Sequence, residues 1–286
     1  MRDACARFID RHPLMPWPLR SRTHLLWKNS YGEVWVKRED ELSFISSGPK
    51  RRKHASFFAM ALEEKIPGLK ITGSPFSNNS LAMAACAREI GIPFEILSPK
   101  PKSPLKGNAL LNALIRPPIP IDTEGFLTVA EGANHPWSLA GALTLGLDLQ
   151  DDFDQVICDA GTGYTAAALS YTLERSPLII LKMAPVDLTL TVDQISKRLH
   201  LPLPPQSREI QLCSGLSPIG QKEWQFLKDT WQTHGILLDP IYTARSFSWT
   251  KQQFDQGQLP GRTLILHTGG GISLLGFEEE FKKWIT

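Results

Sequence analysis

The chain of 286 residues is 42% hydrophobic and 21% charged, a composition typical of a globular protein with a sizeable core, which excludes a disordered or collagenous chain. Its 31 basic and 29 acidic residues leave a formal net charge of +2, so we expect no general electrostatic surface for nucleic acid or for an anionic membrane. The four cysteines are scattered without C-x-x-C spacing, and neither a signal-peptide core nor an apolar run of about 18 residues occurs, so we expect reduced thiols, no zinc site and a cytoplasmic protein.

Short β-rich runs alternate along the chain with segments of helical periodicity. Strands are expected at residues 33–36, 94–97, 155–158, 178–181 and 263–266. Helices are expected over residues 51–65 and over the Ala-rich segment 80–90. Phe58, Ala61 and Leu62 would share one face of the first helix. This alternation predicts an α/β fold with open, mostly parallel twisted sheets and helices on both faces.

Breaks in the pattern suggest two domains. The Pro-rich stretches 99–104 and 116–120 can continue neither a helix nor a central strand, and a further break falls at 146–152. We expect a small α/β domain over residues 46–150, inserted into a large domain made of residues 1–45 and 151–286. Ligands of open α/β sheets bind at the carboxyl ends of strands, so the loops after the strands are the candidate sites.

A glycine-containing turn follows the expected strand at 155–158. Residues 159–169 read Asp-Ala-Gly-Thr-Gly-Tyr-Thr-Ala-Ala-Ala-Leu. Glycines let backbone N–H groups approach an anion, and a helix N-terminus adds positive partial charge. The turn is neither a Walker loop nor a dinucleotide fingerprint, because it lacks G-K-[ST] and the third glycine. It predicts an anion cradle, with an ordinary strand-to-helix turn as the alternative.

A run of five basic residues, 50–54, opens the first expected helix. Such a run is most often a solvated face and sometimes a nucleic-acid patch. A third interpretation is chemical: positive potential at a helix N-terminus lowers the pKa of a lysine and favours the neutral amine that Schiff-base chemistry needs.

Three other loops have both a structural and a functional interpretation. The first, 72–80, is rich in Ser and Asn and is typical of helix capping, although a serine there could anchor a carboxylate. The second, 238–243, reads Leu-Asp-Pro-Ile-Tyr-Thr and could be a simple Asp-Pro turn. The third, 267–271, reads His-Thr-Gly-Gly-Gly and is either a flexible turn or a close approach to a ligand.

The order of these segments resembles that of fold type II pyridoxal-phosphate (PLP) enzymes, the tryptophan synthase beta-like fold. Among them the chain looks most like the 1-aminocyclopropane-1-carboxylate (ACC) deaminase and D-cysteine desulfhydrase family. Matches to the family begin with the Lys-Arg-Glu-Asp sequence at 37–40 and end at Gly270. Intermediate matches lie at 106–111 and at 131–134, followed by Ala140 and Gly141.

The resemblance implies a set of catalytic and cofactor-binding residues. Lys50 would carry the cofactor covalently, Ser77 would contact the substrate carboxylate or transfer a proton, and Tyr242 would lie at the reacting face. Asn78 would bind the 3′ oxygen of PLP, and Thr268 would face the pyridine nitrogen, which a neutral hydroxyl would leave largely unprotonated. The phosphate would be held by Gly161, Thr162, Gly163, the backbone of Tyr164, and Thr165.

The activity implied is that of a PLP-dependent lyase or deaminase acting on a small amino acid. Ring-opening deaminases of the family carry Glu after the tyrosine, whereas this chain has Thr243, as in the desulfhydrase-like members. We therefore expect β-elimination from D-cysteine or a similar substrate, giving a 2-oxo acid, ammonia and sulfide. The alternatives are ACC deamination and a catalytically degenerate PLP-binding protein. The family also implies a homodimer, and no histidine spacing indicates a catalytic metal.

The chain departs from the family pattern at five positions, the first being Ser47, where the family usually has Gly. Pro49 replaces Asn before the lysine and removes a backbone donor. Phe76 replaces a polar residue before Ser77, Tyr164 replaces a glycine of the phosphate turn, and Arg245 replaces a lysine. These differences motivate the degenerate alternative.

Overall fold

The structure, a computed structural model, describes residues 1–99, 105–117, 122–149, 152–174, 176–205, 207–213 and 219–285. The helices are α1 (Arg2–Asp10), α2 (Pro49–Glu63), α3 (Asn78–Ile90), α4 (Gly107–Ile115), α5 (Leu139–Leu147), α6 (Tyr164–Ser170), α7 (Leu188–Leu199), α8 (Gln221–His234), α9 (Thr243–Asp255) and α10 (Glu278–Ile285). The strands are β1 (Thr23–Asn29), β2 (Gly32–Lys37), β3 (Leu69–Thr72), β4 (Phe94–Leu97), β5 (Leu127–Val129), β6 (Gln155–Ala160), β7 (Leu178–Lys182), β8 (Arg208–Gln211) and β9 (Gly261–Leu266). Short 3-10 turns lie at Glu39–Leu42, Glu131–Ala133, Pro136–Ser138 and Gly271–Gly276.

The strands form two sheets. The larger has the order β1-β2-β9-β6-β7-β8, and all its neighbours are parallel except the β1–β2 hairpin. The smaller has the order β4-β3-β5 and is wholly parallel. The predicted α/β class with mostly parallel sheets is confirmed, and all five predicted strands are present.

Apolar side chains cover both faces of the larger sheet. Because side chains alternate along a strand, Ile157 of β6 packs on one face with Trp224 of α8 and Phe247 of α9. Val156 and Cys158 point to the other face, toward the helices that follow β5 and β6. Each fully buried large apolar side chain contributes about 1.5–3 kcal/mol relative to an exposed one. A sheet covered on both faces needs the near-continuous apolar strands that the sequence shows.

The smaller sheet packs against α2 and α3. Phe57 and Phe58 of α2 and Met83 of α3 are fully buried against Ile71 and Phe94 of the strands. The α3 helix begins with Ser77 as its N-cap, whose side chain accepts a hydrogen bond from the Ser80 N–H. Helix α2 therefore lies between this sheet and the rest of the molecule.

The predicted buried face of α2 is wrong in one residue. Phe58 and Ala61 are buried, as expected, but Leu62 is 46% exposed. Eleven of the 15 residues of α2 are buried, so the helix lacks the single apolar stripe that periodicity assumes. Its buried surface includes the basic residues of its first two turns.

The division into two domains stays a prediction. Strands β3, β4 and β5 all fall within residues 46–150, and the six strands of the larger sheet fall outside that range. The proposed boundary at residues 150 and 151, together with most of both Pro-rich stretches, lies outside the described residues. None of the helices in the described ranges is long and apolar enough to cross a membrane.

Candidate active site

A cavity of about 710 Å³ lies where the carboxyl ends of β6 and β9 meet the first turns of α2, α3 and α6. This is the place at which open α/β sheets bind ligands. All ten residues singled out by the sequence line it: Lys50, Ser77, Asn78, Gly161, Thr162, Gly163, Tyr164, Thr165, Tyr242 and Thr268. The structure therefore brings together segments that are more than 200 residues apart in the chain.

Lys50 is the second residue of α2. Pro49 takes the first position, where a helix needs no backbone N–H, so the Pro found at this site is compatible with the helix start. Gly48 has a φ of +75°, and a Cβ there would collide with the Thr268 carbonyl oxygen. The Lys50 ammonium donates a hydrogen bond of 3.3 Å to that same carbonyl. The start of α2 is thus held directly on the turn that follows β9.

Burial lowers the pKa of the Lys50 ammonium, although the carboxyls of Asp239 and Asp159 oppose the shift. The direction agrees with the prediction, but the leading cause is desolvation rather than the helix terminus. A lowered pKa increases the fraction of neutral amine, which is the nucleophilic form.

A second lysine of α2 also lines the cavity, and the sequence analysis did not single it out. Lys53 is 5% exposed and donates a 2.6 Å hydrogen bond to the Gly132 carbonyl. Burial, with a further contribution from the charge of Lys50, lowers its pKa to about 7. The signal that could have found it is the spacing, because residues three apart lie on the same side of a helix.

The turn after β6 has the form expected of an anion cradle. Gly163 has a φ of +81° and caps α6, a conformation that favours glycine. Tyr164 follows as the first helical residue, and its side chain is buried in a core while its hydroxyl donates 3.0 Å to the His135 carbonyl. The tyrosine side chain is therefore accommodated in the core, while residues 161–165 of the turn line the cavity. Thr162 donates a 3.4 Å hydrogen bond to Asn134.

The loop before α3 contributes both a cap and a donor. Ser77 acts as the N-cap, as the structural interpretation of this loop predicted, and it also lines the cavity. The Asn78 carbonyl oxygen accepts a 2.7 Å hydrogen bond from the Asn108 amide. With its side-chain oxygen held by this bond, Asn78 has its amide nitrogen next to Gly270, and Asn78 itself lines the cavity. Asn108 belongs to the 106–111 match, so that motif has a positioning role.

An aspartate fixes the turn that carries Tyr242. The Asp239 carboxylate accepts hydrogen bonds from the backbone N–H groups of Ile241, Tyr242 and Thr243 at 2.8–2.9 Å. The Thr243 hydroxyl also donates to it at 2.9 Å. The Tyr242 ring lies against Gly161, and burial raises the pKa of its phenol, which keeps it protonated at neutral pH.

Thr268 faces another acidic residue that the sequence analysis missed. Its hydroxyl lies 2.8 and 2.9 Å from the two carboxyl oxygens of Asp159. Burial is the main cause that raises the pKa of Asp159 to about 7. The position of Asp159 at the carboxyl end of a buried strand, directly before a glycine turn, could have indicated it.

The basic run at 50–54 is neither a solvated face nor a nucleic-acid patch. Arg51, Arg52, Lys53 and His54 are all less than 9% exposed. Arg51 pairs with Glu89 at 3.0 Å, and burial is the main cause that lowers the pKa of His54 to about 3, so its ring is neutral. The expectation of a solvated run is wrong because distant acidic residues fold onto it.

The cavity suits a ligand that carries both an anion and a carbonyl. It offers two lysines with lowered pKa values, the N–H groups of the β6–α6 turn and the Asn78 amide. Three buried polar atoms of its lining residues have no hydrogen-bond partner within the described part of the chain: Asn79 Nδ2, Asn108 Oδ1 and Ser273 Oγ. Such atoms are costly unless a ligand or water satisfies them. These features fit PLP.

Comparison with solved structures identifies the fold. An ACC deaminase homologue superposes with a TM-score of 0.88 at 19% identity over the whole of both chains. Threonine deaminase isoform 2 from Solanum lycopersicum gives a TM-score of 0.70 at 12% identity, covering the whole of this chain and 89% of the other. The fold is that of the fold type II PLP enzymes.

Comparison with curated sequences narrows the relationship. A protein of Thermotoga maritima, provisionally named as an ACC deaminase, is 24% identical over 91% of this chain and 96% of its own length. The D-cysteine desulfhydrase of Yersinia enterocolitica is 22% identical over 87% of this chain and 89% of its own length. No protein-family model matches the chain. The chain is a homologue of the proteins named ACC deaminase and D-cysteine desulfhydrase, as the sequence motifs predicted.

Proposed function

We propose that this chain is a PLP-dependent lyase that removes ammonia from a small amino acid by β-elimination, with D-cysteine as the first substrate to test. The observation that carries the proposal is the environment of Lys50. Its amine lies in a cavity of about 710 Å³, has a lowered pKa, and is flanked by the β6–α6 turn and by the loop before α3. An amine of that kind is what covalent attachment of an aldehyde requires.

Residues on three sides would hold the cofactor. The phosphate would lie against Gly161, Thr162, Gly163, Tyr164 and Thr165, with Lys53 supplying a positive charge. Because α6 has only seven residues, the loop N–H groups, the threonine hydroxyls and Lys53 would provide most of the binding. Asn78 would donate to the 3′ oxygen, and Thr268 would face the ring nitrogen. Bound PLP supplies a conjugated system that delocalises the electron pair left when the substrate Cα–H bond breaks.

The side chains of the protein would then move protons at defined atoms. The Lys50 amine would be the base that accepts the substrate Cα proton. The Ser77 hydroxyl would bind the substrate carboxylate, since its oxygen accepts the Ser80 N–H while its own hydrogen stays free to donate. The Tyr242 phenol, protonated because burial raises its pKa, would donate a proton to the leaving group on Cβ.

One contact favours β-elimination over cyclopropane ring opening. Ring-opening relatives resemble this chain but carry Glu where Thr243 stands. The Thr243 hydroxyl hydrogen-bonds Asp239 and is fully buried, and the residue does not line the cavity. It therefore offers no acid or base to a substrate.

The test combines spectroscopy with product analysis. Purified protein is mixed with PLP, its visible absorption is recorded, and the adduct is fixed by borohydride and located by peptide mass mapping. We expect reduction on Lys50, followed by release of a 2-oxo acid, ammonia and sulfide from D-cysteine. Release from ACC but not from D-cysteine would establish the alternative deaminase activity. An adduct on Lys50 with no turnover of D- or L-amino acids or ACC would establish a degenerate binding protein.

An adduct spread over surface lysines would contradict the proposal as a whole. The resemblance also implies a homodimer, which stays a prediction that light scattering of the loaded protein tests.

A further inference from the structure

A buried carboxyl and a hydroxyl form a hydrogen-bonded pair inside the cavity. Asp159 is 8% exposed at the carboxyl end of β6, and the Thr268 hydroxyl oxygen lies 2.9 Å from its Oδ1 and 2.8 Å from its Oδ2. A hydroxyl has one hydrogen, so Thr268 donates to one of these oxygens at a time. The lone pairs of the threonine oxygen then stay free to accept a hydrogen bond from a ligand.

The charge of the pair selects the ligand atom that faces it. The phosphate and the phenolate oxygen of PLP are anionic, and a nearby carboxylate would repel both. The cavity gives those groups Lys53, the N–H groups of the β6–α6 turn and Asn78 instead. The ring nitrogen is the remaining polar atom of PLP, and it can carry a positive charge and donate a hydrogen bond.

We propose that Asp159 is a positioning residue that acts through Thr268 to keep a proton on the ring nitrogen of bound PLP. This inference rests on the proposed function. The inference differs from what the resemblance implied, namely that a threonine hydroxyl alone would leave the ring nitrogen largely unprotonated. Here the hydroxyl donates its hydrogen to the Asp159 carboxylate. Its oxygen can then accept a hydrogen bond from a protonated ring nitrogen. A protonated nitrogen withdraws electrons from the substrate more strongly.

The proton balance involves only these three groups. In one form the ring N–H donates to the Thr268 oxygen, and the Thr268 hydroxyl donates to the Asp159 carboxylate. In the other form the Asp159 carboxyl donates to Thr268, and the Thr268 hydroxyl donates to the unprotonated nitrogen. The two forms hold the same number of protons: one proton moves between nitrogen and hydroxyl, and a second moves between hydroxyl and carboxyl. No further reactant is needed.

The surroundings of Asp159 keep its affinity for a proton close to that of a pyridine nitrogen. Burial is the main cause that raises the pKa of Asp159 to about 7. The charge of Asp239 adds to the rise, and the hydrogen bonds from Thr268 and Ser246 and the charge of Lys50 oppose it. Groups with similar proton affinities share a proton most readily. The groups that face Asp159 are Lys50 of α2, Asp239 and Tyr242 of the turn before α9, Ser246 of α9 and the neighbouring Cys158 of β6.

The experiment measures the ring nitrogen itself. Protein is loaded with PLP labelled with ¹⁵N in the ring, attachment to Lys50 is verified by borohydride trapping, and the ¹⁵N resonance is recorded near pH 7.5. Free PLP at low and high pH gives the protonated and unprotonated reference positions. We expect the wild-type resonance to shift toward the protonated reference.

Two variants test the pathway independently. Asp159→Asn keeps the shape but offers an amide that donates to Thr268, so the Thr268 hydroxyl turns toward the nitrogen and the resonance returns to the unprotonated position. Thr268→Val removes the link and should give the same result with Asp159 intact. Unchanged resonances in loaded variants, or an unprotonated wild-type nitrogen, would overturn the inference and leave the proposed function standing. A wild-type protein that does not attach PLP to Lys50 would overturn both.

Discussion

Two buried groups of charged residues share helix α2 and behave in opposite ways. The first, here called the ion-pair network, consists of Lys37, Glu39, Arg52 and Asp148. The second, the pocket charges, consists of Lys50, Lys53, Asp159 and Asp239. Each group holds two basic and two acidic side chains. In the network every charge has a partner at 2.6–2.8 Å. None of the pocket charges forms an ion pair within 4.0 Å with any of the described residues.

The difference shows in the ionisation of the two groups. Burial would lower the pKa of Arg52, but the hydrogen bonds that Arg52 donates to Glu39, together with the charges of Glu39 and Asp148, outweigh burial and raise the pKa. Burial instead brings the pKa values of Lys53 and Asp159 to about 7. Breaking a buried ion pair is costly because it leaves an uncompensated charge, whereas buried charges without an ion-pair partner cost stability and stay ready for a ligand.

Removing the amine of Lys50 should have the largest effect. Lys50→Ala leaves no group to attach the cofactor or to accept the Cα proton, so we expect 2-oxo acid release to fall by at least about a thousandfold. Steady-state kinetics with D-cysteine, with borohydride trapping of PLP, measures both consequences. Lys222→Ala, at an exposed position of α8, is the control. Activity in Lys50→Ala within tenfold of wild type would contradict the assignment.

Breaking the ion-pair network should cause the largest loss of stability. Arg52→Met leaves Glu39 buried without its partner, which costs about 3–5 kcal/mol in the free energy of unfolding. Urea denaturation of the cofactor-free protein measures this. Arg22→Met breaks the exposed Arg22–Glu41 pair and should cost less than about 1 kcal/mol. Equal losses in the two variants would mean that burial of the network has no energetic role.

The same change in a pocket charge should act in the opposite direction. Lys53→Met removes a buried ammonium that has no carboxylate partner, so the cofactor-free protein should be as stable as wild type or more stable, by up to about 2 kcal/mol. Affinity for PLP should fall about 10–100-fold, the loss of one charge-assisted hydrogen bond to phosphate. Denaturation and fluorescence titration measure the two effects. Lower stability with unchanged affinity for PLP would show that Lys53 stabilises the fold, as the ion-pair network does, and does not bind the cofactor.

A smaller effect should appear in the pH dependence of stability. The folded pKa of Asp159 is raised from 3.8 to about 7, so its stabilising contribution is complete below pH 3.8 and is lost as the pH rises through 7. Between pH 5.5 and 7.5 the free energy of unfolding of wild type should fall relative to Asp159→Asn by about 1–2 kcal/mol. Lys53 has the opposite effect on the free energy of unfolding, since its stabilising contribution is lost as the pH falls through 7. Wild type and Asp159→Asn both contain Lys53, so its effect is common to the two curves.

Urea denaturation of the cofactor-free proteins at several pH values measures this difference. Asp193→Asn, at an exposed site of α7, is the control and should run parallel to wild type. A wild-type curve that also runs parallel to that of Asp159→Asn would show that the Asp159 carboxyl titrates as an exposed one.

Local patterns predicted the positions of five strands and two helices, and they singled out segments that line the candidate site. The alternation of strands and helices and the glycine turns are properties of neighbouring residues, so they are readable without the fold. Lys50 was singled out because it lies at the start of a helix and belongs to an ordered set of motifs. The sequence analysis noted Tyr164 as a departure because the family has glycine at that position. In the structure the residue with a positive φ is Gly163. The sequence pattern alone does not show which position of the turn requires glycine.

The features that the sequence did not predict depend on distant partners. The run 50–54 looked solvated because its neutralising groups are Glu39, Glu89 and Asp148, which lie up to 96 residues away. Asp159 was overlooked because nothing in its own strand reveals the hydroxyl of Thr268, which lies 109 residues along the chain.

Four consecutive charged residues, 50–53, fix the orientation of α2 about its own axis. Each residue turns the side-chain direction by about 100°, so Lys50 and Lys53 face the cavity while Arg52 faces Glu39 and Arg51 faces Glu89. A single-residue insertion or deletion between Lys50 and Lys53 would rotate the later side chains by about 100° relative to Lys50. It would therefore disturb the pocket charges and the ion-pair network at once. Only an insertion of about seven residues, two helical turns, would nearly restore them. The number of residues between Lys50 and Lys53 is therefore constrained together with their identity, because it sets which side chains reach the cavity and which reach the ion-pair network.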